Sequence, residues 1–255
     1  MRLWILALLL AAGLGSRAWA DSCPLPGDDI DTDRPDTTNS STVVPVGSFQ
    51  NENGINVADW TGGTRYDGTT SRLRLGIFDC AEVLIDLPDY SIAPRGTGVR
   101  GFTGIAPAAK HEFTGLPEGL QIALVAGVGL PTGGAGNSGH ATKPYLQIPW
   151  SQDLVGDWSV HGMETQTWVP GQPSDSLFEQ TLSLQRDIGD DVDAFVEYVG
   201  DYADHAAPSQ ILNFGGAYRF TKFQQIDFHA GFGFTRQSPK EYIGVGYSFR
   251  LDGLF

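Results

Sequence analysis

The sequence predicts an all-β protein, a transmembrane antiparallel up-and-down barrel of about twelve strands. Three observations carry that prediction. Apolar and small or polar residues alternate with period two through most of the chain, which is the spacing of a strand with one greasy face. The breaks between these runs alternate between short and longer, as the periplasmic turns and outer loops of a membrane barrel do. The chain also closes on an aromatic-rich strand ending at Phe255. A soluble sandwich would bury the apolar face between two sheets and would give no reason for short and long connections to alternate.

The elements follow in chain order. Residues 1–20 read as a secretory leader to be removed. Arg2 precedes an apolar run over 3–14, and Ala18-Trp19-Ala20 forms a small-residue cleavage site before Asp21. Residues 21–46 form an acidic N-terminal segment, periplasmic or luminal, and the barrel is expected over 47–255. Its first strand, near 47–58, alternates poorly. Leu73, Leu75 and Ile77 interleave with Arg72, Arg74 and Gly76, and Val83, Ile85 and Leu87 with Glu82 and Asp86. The apolar run 120–130 contains Gly127 and Gly129, stops at Pro131, and is about half the ~20 residues that a membrane helix needs. The stretch 158–169 again alternates weakly. Further on, Leu182 and Leu184, then Val192, Ala194, Val196 and Tyr198, then Leu212, Phe214 and Tyr218, then Phe228, Phe232 and Phe234 define apolar faces. Last come Ile243, Val245, Tyr247, Phe249, Leu251 and Phe255, where Tyr247, Phe249 and Phe255 make the ending that barrel-assembly machinery would read.

Short breaks fall at 78–80, 114–119, 154–157, 189–191 and 221–224. Longer ones fall at 61–68, 93–98, 133–142, 170–176, 203–209 and 238–240. Trp60, Tyr90, Tyr145, Trp168, Phe178 and Tyr242 then lie near the outer strand ends, and Trp150, Trp158, Phe220, Phe223 and Phe255 near the inner ends, as two interfacial girdles require.

If the greasy face meets lipid, the other face lines the lumen. The lumen candidates are Arg72, Arg74, Glu82, Asp86, Asp193, Glu197, Asn213, Arg219, Asp227 and Arg250, with Phe195 and Val199 available for an apolar cleft. These mix both signs and would polarise a pathway without strongly selecting one ion sign. Twelve strands fall between the small barrels that side chains fill and the 16–18-stranded barrels that hold an open channel, so a narrow or plugged pore is expected.

Composition excludes other classes. The chain of 255 residues has 33 Gly, 18% charged residues and a formal charge of −14, and it has no Lys/Arg cluster for nucleic acid. Hydrophobic residues at 41% exclude a disordered chain. Cys23 and Cys80 pair if the compartment is oxidising, the alternative being two separate thiols; their spacing is neither a metal site nor a redox pair. In the acidic opening, Asp29, Asp31 and Asp33 have calcium-loop spacing, yet Arg34 stands where the turn glycine belongs and Ser40 where the closing Glu belongs. This opening either lies in the barrel with its carboxylates on Arg72 and Arg74, or trails as a solvated tail. No metal or cofactor is expected, since His111, His140, His161, His205 and His229 are scattered. The glycines of 134–139 lack the lysine of a phosphate loop. No enzyme is expected either, although Asn137, Ser138 and His140 form the one trio that an outer-membrane lipid hydrolase could use.

The segment Thr32-Asp33-Arg34-Pro35-Asp36-Thr37, followed by Val44-Pro45-Val46-Gly47 and Gln50, resembles the opening of the MetA-pathway of phenol degradation family, whose members are also labelled transporters. Arg74-Leu75-Gly76-Ile77-Phe78, Glu82 and Leu130-Pro131-Thr132-Gly133 sit where that family has similar runs. The resemblance implies a barrel in the outer membrane of a Gram-negative bacterium, in contact with its lipids, with Asp33, Arg34, Pro35 and Asp36 as the family motif. It also implies passive uptake or efflux of small molecules, hydrophobic and aromatic ones included. The alternatives are a structural or plugged barrel without transport and a lipid hydrolase.

Overall fold

The computed structural model describes residues 23–92, 100–134, 140–169, 176–204 and 206–255. The signal-peptide reading, the loop at 93–98, and Asn137 and Ser138 of the trio lie outside the described residues. Fourteen strands form one antiparallel sheet: β1 (Phe49–Trp60), β2 (Gly63–Phe78), β3 (Ala81–Asp86), β4 (Tyr90–Ile92), β5 (Gly101–Phe102), β6 (Ala106–Phe113), β7 (Leu120–Gly129), β8 (Lys143–Asp153), β9 (Trp158–Trp168), β10 (Ser176–Ile188), β11 (Val192–Ala203), β12 (Ser209–Thr221), β13 (Gln224–Gly233) and β14 (Glu241–Leu251). Strand β1 pairs with both β2 and β14, so the sheet closes on itself. The short β4 and β5 pair with each other beyond β3 and β6, leaving a barrel of twelve full strands. Closure pairs both edges of each of the twelve full strands, which a lipid environment demands because no solvent is present to hydrogen-bond a free edge.

The two faces are inverted relative to a water-soluble barrel. Outward positions carry Ile226, Phe228 and Phe232 on β13, Phe214 and Tyr218 on β12, and Val245 and Tyr247 on β14, each 40–50% exposed. The interior buries Arg74, Lys110, Glu52, Glu82, Glu197, Gln50 and Asn213 almost completely. Aromatic and aliphatic groups outside with ions inside can be stable only where the outside is lipid, since each apolar side chain left in water forgoes ~1.5–3 kcal/mol.

The connections at one end are tight. Asp79 and Cys80 join β2 to β3, residues 189–191 join β10 to β11, and residues 222–223 join β12 to β13. Gly156 and Gly189 take positive φ at their turns (72° each), where a side chain would be strained. Cys80 occupies the same left-handed region (φ 61°) without being glycine, and its side chain is engaged elsewhere, as described below. Cys23, the first described residue, and the C-terminal residues 252–255 lie at this rim.

Three sequence readings change. The stretch 61–68, read as an outer loop, is mostly strand: Thr61 and Gly62 alone separate β1 from β2. Its composition of Gly, Thr, Arg, Tyr and Asp hides the alternation, and a register shift between Gly54 and Ile55 breaks the period. Tyr145 and Tyr242 do not join the outer girdle. They point inward, Tyr145 packing over Gly127 and Tyr242 over Gly231 and against His229, because each stands one residue out of phase with its strand's apolar set.

Candidate functional site

Residues 23–48 contain no strand and run inside the barrel as a strap. Cys23 is bonded to Cys80 on the β2–β3 turn, with a Cα–Cα distance of 5.3 Å. The strap then crosses the rim, where the Gly27 amide donates to Asp252 (2.8 Å), Arg250 donates to the Asp29 carbonyl (3.2 Å), and the Ile30 amide donates to the Lys222 carbonyl (2.7 Å). At its far end the Gly47 amide donates to the Gly76 carbonyl (3.0 Å), and Val46 bridges to Gly76. A Cβ at position 76 would stand 2.1 Å from the Pro45 carbonyl oxygen and 2.4 Å from that of Val44, so only glycine lets the returning strap lie against β2.

Between these anchors the strap climbs into a charged cluster. Asp33 meets Arg72 at 2.9 Å, Lys110 at 3.4 Å and Arg74 at 3.5 Å. Arg74 also binds Glu52 (3.1 Å) and Glu82 (2.9 Å), and Arg72 binds Asp86 (2.6 Å). Burial works against ionising Asp33, but the charges of Arg74, Lys110 and Arg72 together overcome it and hold the carboxyl below its usual range. The next residue, Arg34, forks onto Asp227 (3.1 and 3.3 Å) and reaches Thr70 (3.2 Å). Its guanidinium lies flat over Gly54 and Gly246, where an added Cβ would come within 2.3 and 2.6 Å of it.

The tip of the strap is held by a carboxylate instead. Glu197 of β11 accepts the amides of Thr37 (2.9 Å) and Thr38 (2.8 Å), the Thr38 hydroxyl (2.7 Å) and the Asn213 side-chain amide (2.9 Å). Two backbone donors, a hydroxyl and a carboxamide thus saturate one buried anion without a cation. Asp36 stands beside it and takes a bond from Gln185 (2.9 Å); burial, and then the Glu197 charge, raise its carboxyl well above the ordinary value. On the way down, Asn39 bonds Arg72 (2.9 Å) and Gln147 (3.1 Å), Ser41 bonds Ser151 (2.8 Å), and the Val43 and Val44 amides donate to Glu112 (3.1 Å) and Glu82 (2.6 Å).

The strap divides the lumen. On one side lies a cavity of ≈ 380 Å³ bounded by Arg34, Asn39, Thr70, Arg72, Asp86 and Leu87, reaching the wall where Leu87, Pro88 and Asp89 interrupt β3 and β4. Toward the rim that carries the tight turns lies a second cavity of ≈ 250 Å³, bounded by Asp31, Asp36, Asp153, Asp187, Asp193 and Arg219. No residue set here could hold a metal among the described residues.

All ten lumen candidates point inward. Arg72, Arg74, Glu82, Glu197 and Asp227 touch the strap through their side chains, Asp86 bonds Arg72, Asn213 touches Glu197, and Arg250 touches the strap's carbonyls. Asp193 pairs with Arg219 at 3.4 Å beneath it. Sequence reasoning missed Glu52, Lys110 and Glu112. The alternation Ala108, Lys110, Glu112 against Ala109, His111, Phe113 was available in β6, but His111 on the outer face and small alanines blurred it.

The model of the family described as "Putative MetA-pathway of phenol degradation" matches residues 32–251, which is most of the chain and begins inside the strap. The chain belongs to this family. No curated protein matches it at a significant level. Among solved structures, the COG4313 outer membrane channel from Pseudomonas putida F1 superposes with a TM-score of 0.63 at 15% identity, covering 87% of this chain and all of that one. The NanC porin gives 0.58 at 10% identity over 80% of this chain and 100% of its own. The KdgM porin gives 0.56 at 9% identity over 79% and 98%. At these identities the likeness concerns the fold, an outer-membrane type of barrel.

Proposed function

We propose that this family member is an outer-membrane channel through which small molecules diffuse passively, with the N-terminal strap as its constriction. The observation that carries this reading is the division of the lumen into two cavities by one ordered segment rather than by side chains filling the whole interior. An interior packed solid would serve a structural role; the larger cavity, at ≈ 380 Å³, is of the size in which small organic molecules bind, and the smaller is ≈ 250 Å³. Export by the N-terminal leader and residence in the outer membrane belong to the same reading, supported by the apolar belt and by the porin-like neighbours. The cargo class we favour is small compounds, hydrophobic or aromatic ones included. The support is the family description and Leu87 at the edge of the larger cavity.

A plugged barrel without transport is favoured by one specific observation, the series of bonds that ties the strap to the wall from Asp33 to Val44. Planar-bilayer recording of the refolded mature protein separates the two, after a gel has shown that boiling changes its mobility as for a folded barrel. Discrete conductance steps, partly blocked by small aromatic compounds, are expected. A folded barrel that carries no current and does not admit such compounds into liposomes would overturn the channel reading.

A further inference from the structure

The charges along the lumen are not balanced alike on the two sides of the strap. In the upper cavity, Asp33, Glu52 and Asp86 each sit within ion-pair distance of Arg72 or Arg74, and Lys110 adds a third cation behind Asp33. In the lower cavity Arg34 is consumed by Asp227, and Arg219 by Asp193 together with the Asp190 carbonyl (3.0 Å). The carboxylates of Asp31, Asp153 and Asp187 have no Lys or Arg nitrogen within 4 Å among the described residues. The Asp31 carboxylate accepts the hydroxyls of Ser40 and Thr42, while Gln50 and Arg74 bond its carbonyl, and all three carboxylates are exposed to the lumen or its mouth. His161, which faces them from β9, shares a bond with Ser159 at 2.8 Å. The adjoining turns add Asp157, Asp190 and Asp191, against Arg186 and Lys222.

We infer that the lower cavity is the charge filter of the pathway, passing cations in preference to anions, with Asp153 and Asp187 as its specificity-determining residues. This rests on the channel reading. It also revises the sequence expectation of a lumen without preference for either sign, because the positive side chains counted there are matched by partners and the lower acids are not. One unmatched carboxylate about 8 Å from a passing ion, across water, enriches a monovalent cation over a monovalent anion roughly fivefold at low salt. Screening at 0.1 M reduces that to roughly twofold, since the Debye length is then about 10 Å. Several such carboxylates act together, and their field is concentrated between low-dielectric walls.

The test is the reversal potential of the full mature chain in a planar bilayer under a KCl gradient. The wild type is expected to show a K⁺/Cl⁻ permeability ratio of about five or more near 0.1 M, falling as the salt is raised toward 1 M. Asp153→Asn with Asp187→Asn is expected to lower that ratio at least about twofold while leaving single-channel activity in place. Both residues are exposed and pair with no cation, so their neutralisation is compatible with folding; the wild-type salt dependence alone is a second, independent readout. A wild-type ratio near or below one, or a ratio that the double variant leaves unchanged, overturns the inference while leaving a channel. A folded wild type that carries no current overturns the channel reading and this inference with it.

Discussion

Replacing Asp33 by Asn is expected to loosen the strap while sparing the wall. The carboxylate lies within 3.5 Å of Arg72, Arg74 and Lys110, and it also accepts the Ser40 amide at 3.0 Å. Asparagine keeps the shape and one acceptor but removes the charge, so three buried or half-buried cations lose their shared anion. Breaking one side of a buried ion cluster costs about 3–5 kcal/mol, because the remaining charges stay desolvated. That energy falls on the strap's attachment and leaves untouched the strand pairings that close the barrel. At ~1.4 kcal/mol per decade, the open population of the strap rises roughly 100- to 4,000-fold. Hydrogen exchange of the detergent-folded protein, read by mass spectrometry on peptides covering 33–44, is the assay. Exchange there should accelerate about 100-fold or more, with β10 to β14 unchanged. Equal protection of the strap in wild type and variant would show that the cluster does not hold it, and the reasoning from ion pairing would fail.

Acid should act on the same contacts in two directions. The depressed Asp33 carboxyl contributes stability that is complete above its unfolded value and is lost as pH falls below it, so strap exchange should speed up in strong acid. The raised Asp36 carboxyl does the opposite, its contribution being present in acid and lost as pH climbs through its folded value. Asp36→Asn should therefore leave the strap at least as protected at pH 7 as in the wild type and remove the alkaline half of the pH profile. Reducing the Cys23–Cys80 bond, or changing both residues to Ser, opens a loop with a sequence separation of 57 and should cost about 4 kcal/mol. A lower denaturant midpoint on unboiled gels would register it. Gly76→Ala forces the backbone carbonyls of Val44 and Pro45 away from β2, a rearrangement of about 1–3 kcal/mol that the same gels should detect.

The wall was largely legible in the sequence, whereas for the strap the residues left two readings open, of which the one with carboxylates on Arg72 and Arg74 matches what Asp33 does. The difference has a physical reason. A strand's side chains announce their face by position alone, so Ile243 to Phe249 or Phe228 to Phe234 could be sorted without knowing any partner. The strap has no period. Its identity comes from bonds such as Thr37 to Glu197, 160 positions apart, and Arg34 to Asp227, 193 apart. Those pairings depend on the circumference of a barrel that does not exist until the chain has closed. Where the wall itself was misread, at 61–68, a bulge had broken the period. Tyr145 and Tyr242 were misplaced because aromatic character was given more weight than phase.

The partners of the strap also fix an order of events. Every wall residue that holds residues 30–44, from Gln50 on β1 to Asp227 on β13, is made after the strap itself. Residues 30–44 therefore find all their partners only once strands that follow them in the chain have formed. The cystine to Cys80 needs only the turn between β2 and β3, the second hairpin in chain order, so it can moor the segment at the correct rim before Glu197 or Asp227 is available. Seen this way, the covalent link is a mooring line for assembly, and the finished barrel keeps it after the strap's own bonds have taken over.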